Sequence, residues 1–241
     1  MTSLSPAEEL LQDIGITEPD EIDVEVIAWS VGARVRYRAL PQGDARIVGM
    51  GDRAIITVDD RASRVRQRFS VAHELGHWHH HRGQRLICHG SSTDSADDTC
   101  EREADRYAAD LLMPRFMLEP SMAEASMSFE LVNGVARRFQ VSRLAAALRL
   151  ADVHTGRFAL IVDEPNGRRW FRRSAALPRG WRLRLDVPMG EQGGEPGFQP
   201  KQWSVPAYRL FLGRNRSGIQ LRCETLHAAS GQRLTLITVP V

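Results

Sequence analysis

His73, Glu74 and His77 stand in the run Phe69-Ser70-Val71-Ala72-His73-Glu74-Leu75-Gly76-His77, a His-Glu-x-x-His pattern inside a stretch that reads as a helix. On an α-helix, positions four apart lie on one face about 6 Å apart along the axis, so both imidazoles can aim a ring nitrogen at one cation. Zinc suits two imidazoles at that spacing. Glu74 follows the first ligand by one residue and projects beside the metal, where it can take a proton from metal-bound water whose pKa zinc lowers to about 7. Phe69, Val71, Ala72, Leu75 and Trp78 make the flanks apolar. A buried active-site helix requires such flanks, and a chance match on a solvated face does not.

A hydrolytic zinc site takes three protein ligands and leaves one position open. The missing donor is expected from the next helix, read over residues 99–114, which is acidic early and apolar late. Glu101 and Asp105 are four apart and share a face, so Glu101 is assigned to zinc and Asp105 to the outer N–H of an imidazole. Glu103 faces elsewhere and stands as the alternative ligand. The plainest competing account is that these acids only favour the helix N-terminus through its dipole.

The elements that must position these residues follow in order. Ser5-Pro6-Ala7-Glu8-Glu9 combines an N-cap, an N1 proline and first-turn acids, so a helix starts there. A second helix is expected over residues 20–29, then a strand over 34–38, then two strands over 46–49 and 53–58 joined by a glycine-containing turn. The metal helix begins near Ala62 or Ser63 and ends in the run from Trp78 to Gly83, where His79, His80 and His81 are given solvated or core-capping roles outside the site. Residues 90–98 read as a mobile loop. Residues 131–139 and 143–151 read as two short helices around a turn capped by Ser142, a helix-turn-helix-like segment. Arg137, Arg138, Arg143 and Arg149 would meet phosphates if it bound DNA, the alternative being a structural cap.

From Arg157 onward the pattern changes to strands, over 158–162, 170–171, 181–187, 208–212, 219–223 and 234–239, with 189–200 as an exposed loop. The whole is α+β. Residues 1–120 are expected to form a zinc metallopeptidase domain, 121–154 the helix-turn-helix-like segment, and 155–241 a basic, sheet-rich sensor or regulatory domain.

With 241 residues, 42% hydrophobic and 26% charged, the chain has room for two domains and a sizeable core. No run approaches the roughly 18 apolar residues of a membrane span, and the N-terminus lacks a basic-then-apolar signal, so no membrane is expected and the cytoplasm is the expected compartment. Three cysteines, Cys88, Cys100 and Cys223, make no disulfide framework and are expected to be reduced. The net charge of +2 conceals an asymmetry, since residues 155–241 carry fourteen basic against six acidic side chains. There Trp170, Phe171, Trp181, Trp203 and Tyr208 interleave with arginines, a pattern that binds single-stranded nucleic acid by stacking and phosphate contact, or else simply supplies a core. Such nucleic acid is the expected activator.

The run RQRFSVAHELGH followed by EREADRYAADLLMP resembles the ImmA/IrrE zinc metallopeptidases, which are gluzincin-like, over about residues 20–150. The resemblance implies zinc on His73, His77 and Glu101, general base Glu74, and a helical domain around a small sheet. It also implies a partner, an XRE-type helix-turn-helix repressor that such proteins cleave or relieve in prophage, DNA-damage and antiviral-defence operons. The family often has Asn where Asp105 stands, and both accept an imidazole proton. Longer members carry a GAF-like sensory domain after this region, which implies a reduced version here.

Two functions follow from different classes: a zinc endopeptidase that cuts the repressor, and a non-catalytic, zinc-stabilised antirepressor that binds it uncut. Glu74 favours the enzyme, because a purely structural site is closed by four protein ligands and has no use for a base. A thiol in the fourth position would hold such an enzyme inactive. Cys88, in the connection between the two motifs, is the expected inhibitory thiol, with a small hydrophobe tucked under a loop as the alternative. Cys100 adjoins Glu101 at about 100° around the helix and is not expected to share its metal.

Overall fold

The computed structural model describes residues 3–81, 86–87, 95–122, 125–187, 199–213, 218–228 and 231–240. The chain divides into two compact units, residues 1–120 with 136–142, and residues 121–135 with 143–241.

The first unit opens with helix α1, Pro6–Asp13, capped as its sequence predicts. Ser5 Oγ accepts from the Glu8 N–H while the Glu8 carboxylate accepts from the Ser5 N–H at 2.9 Å, a reciprocal capping box. The other Glu8 oxygen accepts from the Arg115 N–H at 2.6 Å, so this buried carboxylate also fixes the start of α5, Arg115–Met122. The helix expected over 20–29 is divided into a 3-10 turn at Pro19–Glu21 and α2, Val24–Ser30. Asp23 is the cause, because its carboxylate accepts from the Glu25 and Val26 N–H groups and starts a new helix.

A four-stranded sheet follows, from β1 (Ala33–Tyr37), β2 (Ala45–Met50), β3 (Arg53–Val58) and β4 (Leu86–Ile87), in the order β1-β3-β2-β4. β1 runs parallel to β3, and the other pairs are antiparallel. Gly51, at φ +64°, turns the β2–β3 hairpin in a backbone region that favours glycine. Helix α3, Arg64–His81, lies on the buried face of this sheet. A Cβ at Gly49 of β2 would sit 2.6 Å from the Trp78 ring, so the indole rests directly on strand backbone. The Trp78 indole N–H donates to the Val31 carbonyl at 2.9 Å, which satisfies its one polar atom. Ile47, Ile56, Val71, Ala72 and Leu75 complete this core.

Helix α4, Ser95–Leu112, begins within the segment read as a loop, so residues 95–98 are helical and 90–94 lie outside the described residues. Helices α6 (Phe129–Arg138) and α7 (Arg143–Val153) take up the two expected positions. Gln140 between them adopts φ +54°, and the Val141 N–H donates to the Ala136 carbonyl at 3.0 Å, closing the end of α6. Arg149 is only 8% exposed, which removes it from the set of phosphate contacts.

The second unit is built on an antiparallel sheet of β5 (Phe158–Asp163), β6 (Arg169–Arg173), β8 (Lys201–Pro206), β10 (Gln220–His227) and β11 (Arg233–Thr238), ordered β6-β5-β11-β10-β8. β7 (Arg182–Leu183) and β9 (Phe211–Leu212) pair as a separate ribbon. The strand expected over 208–212 begins instead as a helical turn, α8, Ala207–Leu210. Ala207 and Leu210, three apart, are the buried pair, and that period belongs to a helix. The strand expected over 181–187 shortens to the two residues of β7, and β8 occupies residues for which no element is expected.

Cys223 lies in this core, where burial pushes its thiol up to about 12 and leaves it a small hydrophobe. Trp181 meets Phe211 edge to face at 5.1 Å, and the Trp203 indole N–H donates to Thr225 Oγ1 at 3.1 Å, so these two aromatics serve packing. Phe171 and Tyr208 are exposed. Among the described residues, no helix is long and apolar enough to cross a membrane.

Asp163, at the end of β5, joins strands that are distant in sequence. Its carboxylate accepts from Arg169, and from Arg233 Nε at 2.9 Å on β11. Burial works to raise its pKa, but the two guanidinium groups outweigh it and hold the carboxyl below its ordinary range. A carboxyl depressed in the folded state stabilises above its unfolded pKa, about 3.9, and stops doing so as pH falls through the folded value. Asp163→Asn is therefore expected to cost about 2 kcal/mol at neutral pH, from two charge-assisted hydrogen bonds weakened. Urea unfolding should show this gap constant from pH 7 to about 5 and closing below about 4.

Candidate metal centre

The site is made where α3 crosses α4. Gly76, between the two histidines, meets Ala104 of α4 so closely that a Cβ would lie 2.8 Å from the Ala104 Cα and 3.0 Å from its carbonyl oxygen. Glycine costs about 1 kcal/mol against alanine in a helix interior, and here it permits contact between the two backbones. Ala104, Ala108 and Leu111 are fully buried on α4, the helix against which α3 packs. Glu101 lies one turn before Ala104, and this crossing carries it to the histidines.

His73 Nε2 and His77 Nε2 approach to 3.0 Å, with the rings 4.7 Å apart and nearly perpendicular. The Glu101 carboxylate bridges them, one oxygen 3.2 Å from His73 Nε2 and the other 3.3 Å from His77 Nε2. These three donors, two imidazole nitrogens and one carboxylate oxygen, lie within 4.8 Å of one another. A pair of neutral imidazoles with one carboxylate is a donor set that fits zinc, and the geometry accommodates a small cation between them. Glu101 is 44% exposed while His77 is 2% exposed, so the cluster opens to solvent on the α4 side and is closed behind α3. Glu103, the alternative ligand, is exposed and outside the cluster.

Asp105, one turn after Glu101, places Oδ1 2.9 Å from His73 Nδ1. An Nδ1–H donating to that carboxylate leaves the Nε2 lone pair directed into the cluster. Burial acts to lower the His73 pKa, but the Asp105 hydrogen bond and charge outweigh it and raise the imidazole above its ordinary value. A metal ion at Nε2 therefore competes with a proton, and its affinity falls in acid.

Glu74 is 6% exposed, and no hydrogen-bonding group among the described residues reaches its Oε2. Burial pushes its carboxyl up to about 7, with the Glu101 charge adding to the rise and His73 opposing it. An unpartnered buried carboxylate is costly, and it is a feature of sites that handle protons.

Cys88 lies outside the described residues. Cys100, set aside on helical geometry as a ligand, is found with Sγ 3.5 Å from His77 Nδ1, the nitrogen that points away from Glu101. Sequence pattern argues only against Cys100 sharing the metal with its neighbour Glu101, and carries no signal for a contact on the outer edge of His77. His79 is not in the cluster, and stacks on Tyr107 at 5.2 Å.

The family model described as IrrE N-terminal-like domain, peptidase family M78, matches residues 28–151, a span that contains the whole cluster. The chain is similar to the uncharacterized protein YqaB of Bacillus subtilis (strain 168), at 28% identity over 144 residues, which is 60% of this chain and 79% of that protein. Its fold is similar to that of a Mycobacterium tuberculosis transcriptional regulator, with a TM-score of 0.63 at 12% identity over 97% of this chain and 75% of the other.

The crossing makes a direct test available. Gly76→Ala, which improves helix propensity, must move α4 by several tenths of an ångström and is expected to weaken zinc binding by about 10-fold or more, as losing supporting geometry does. Competition with a chromophoric chelator measures this. Unchanged affinity would mean that the close approach does not set the ligand positions.

Proposed function

This chain belongs to the IrrE N-terminal-like family, peptidase family M78, and on that premise we propose that it is a zinc endopeptidase whose substrate is a helix-turn-helix repressor of the XRE type. The observation that carries the enzymatic reading is Glu74, a buried carboxylate with an unpartnered oxygen, one residue from a histidine of the three-donor cluster. A site that only stabilised a fold would have no reason to retain it. The fold shared with a transcriptional regulator supports the choice of a substrate in gene control, as does the resemblance to proteins that act on repressors. Release of a stress, prophage or defence operon is the expected consequence of cutting.

His73, His77 and Glu101 would hold the zinc ion, which supplies Lewis acidity toward the scissile carbonyl and toward water. Glu74 takes a proton from the attacking water and returns it to the leaving amine. Burial raises the Glu74 carboxyl in the metal-free protein, and a cation held beside it would lower it again, toward the ionised form that accepts a proton. Asp105 holds His73 in the tautomer that presents Nε2. The exposed side of Glu101 is where an extended peptide gains access to the cluster, and the α3 side excludes water.

Incubating the protein with the repressor encoded beside its gene, with and without a chelator, tests the reading. Cleavage is expected only with metal. Glu74→Gln is expected to keep its zinc and lose at least about 100-fold in rate, because it removes a proton acceptor and no ligand. Undiminished cleavage by that variant at equal zinc content would remove Glu74 from the mechanism. Intact repressor released from its operator by the zinc-loaded wild type would establish the non-catalytic antirepressor instead.

A further inference from the structure

Asp105 secures the outer nitrogen of His73, and at His77 the equivalent place is held by a thiol. We infer that Cys100 is a positioning residue of the metal centre, its sulfur accepting the Nδ1–H of His77 and fixing that ring with its Nε2 lone pair toward the cluster. The inference rests on the reading of His73, His77 and Glu101 as metal ligands.

The geometry is as follows. His77 Nε2 faces His73 Nε2 at 3.0 Å and Glu101 Oε1 at 3.3 Å, while Cys100 Sγ stands 3.5 Å from Nδ1 on the opposite edge of the ring. A neutral imidazole carries one ring proton and ligates through the other nitrogen, so a metal at Nε2 requires the proton at Nδ1. The reverse arrangement, with the thiol donating to Nδ1, would put the proton on Nε2 and close the ligand position. Metal binding and acceptance by sulfur thus select the same tautomer.

Cys100 and Glu101 are neighbours on α4, and the turn of about 100° between them sends one to the outer nitrogen and the other to the inner nitrogen of the same ring. α4 therefore grips His77 from both edges. The ring is 2% exposed, and a buried N–H needs a protein acceptor. The choice of a thiol over a second carboxylate also follows from charge. Glu74, Glu101 and Asp105 already crowd the two imidazoles, and a fourth anion beside the buried ring would add repulsion that a neutral acceptor avoids. The carboxylate serves His73, the more exposed of the two rings at 18%.

The test compares the full-length wild type with Cys100→Ser, which keeps an acceptor, and with Cys100→Val and Cys100→Ala, which fill or vacate the space without one. Zinc dissociation constants come from chelator competition, and the cobalt-substituted proteins report ligand geometry through their visible spectra. Melts of the metal-free variants confirm folding. Loss of the acceptor is expected to weaken zinc by about 10- to 100-fold in both apolar variants and to alter the cobalt spectrum. Cys100→Ser is expected to recover most of that loss, which a packing role would not produce. Equal affinities in serine and valine variants, whether both like the wild type or both weak, would overturn the role of Cys100. A wild type that binds no zinc, or a His73→Ala protein that binds it as well, would instead overturn the metal centre itself.

Discussion

The contact between Gly76 and Ala104 is the constraint on which the rest of the site depends. The spacing within α3 brings two imidazoles together, but the third donor belongs to another helix, and only a backbone-to-backbone crossing places Glu101 within 3.3 Å of both rings. The same crossing delivers Asp105 and Cys100 to the outer nitrogens of His73 and His77. Behind it, Trp78 lies on the backbone of β2 at Gly49 and anchors through the Val31 carbonyl, so α3 is held between a sheet and a helix by two glycine-permitted approaches. A helix packed so closely on both sides has little freedom to rotate its ligands out of register.

Such a site is assembled against its own electrostatics. Glu74 and Glu101 repel, and Glu74 is buried with one oxygen unpartnered. His73 is drawn toward protonation by Asp105. A divalent cation held by His73, His77 and Glu101 would offset these costs together, since its charge would oppose the repulsion between the carboxylates and compete with a proton at His73 Nε2. Stability and function are opposed in these residues, as is common where polar groups are buried for chemistry.

How much of this was legible in the sequence depended on how local each signal was. His73, Glu74 and His77 are read from one helix by spacing, and Glu101 and Asp105 from a second helix by ligand arithmetic, so the three-donor cluster was readable in advance. Cys100 was not, because its place one residue before an expected ligand argues only against its sharing the metal and carries no signal for the outer nitrogen of His77. The cap at Asp23 was a plain local signal that divided an expected helix. In the second unit, Tyr208-Arg209-Leu210-Phe211-Leu212 offers both an alternating and a three-residue period, and burial of Ala207 with Leu210 decides for a helical turn. The segment of β8 is short and bounded by Pro200 and Pro206, which hid its Trp203 and Val205 alternation. The aromatics Trp181 and Trp203 looked equally suited to stacking bases and to a core, a choice that only packing makes.

The most direct measurement of the central claim is anomalous diffraction at the zinc edge from crystals grown with one equivalent of zinc. The expected result is a single strong peak in the first unit, at bonding distance from His73 Nε2, His77 Nε2 and one Glu101 oxygen, with Glu74 beside it and not bonded to it. A peak elsewhere, or a metal bound without Glu101, would contradict a centre formed by the crossing of α3 and α4.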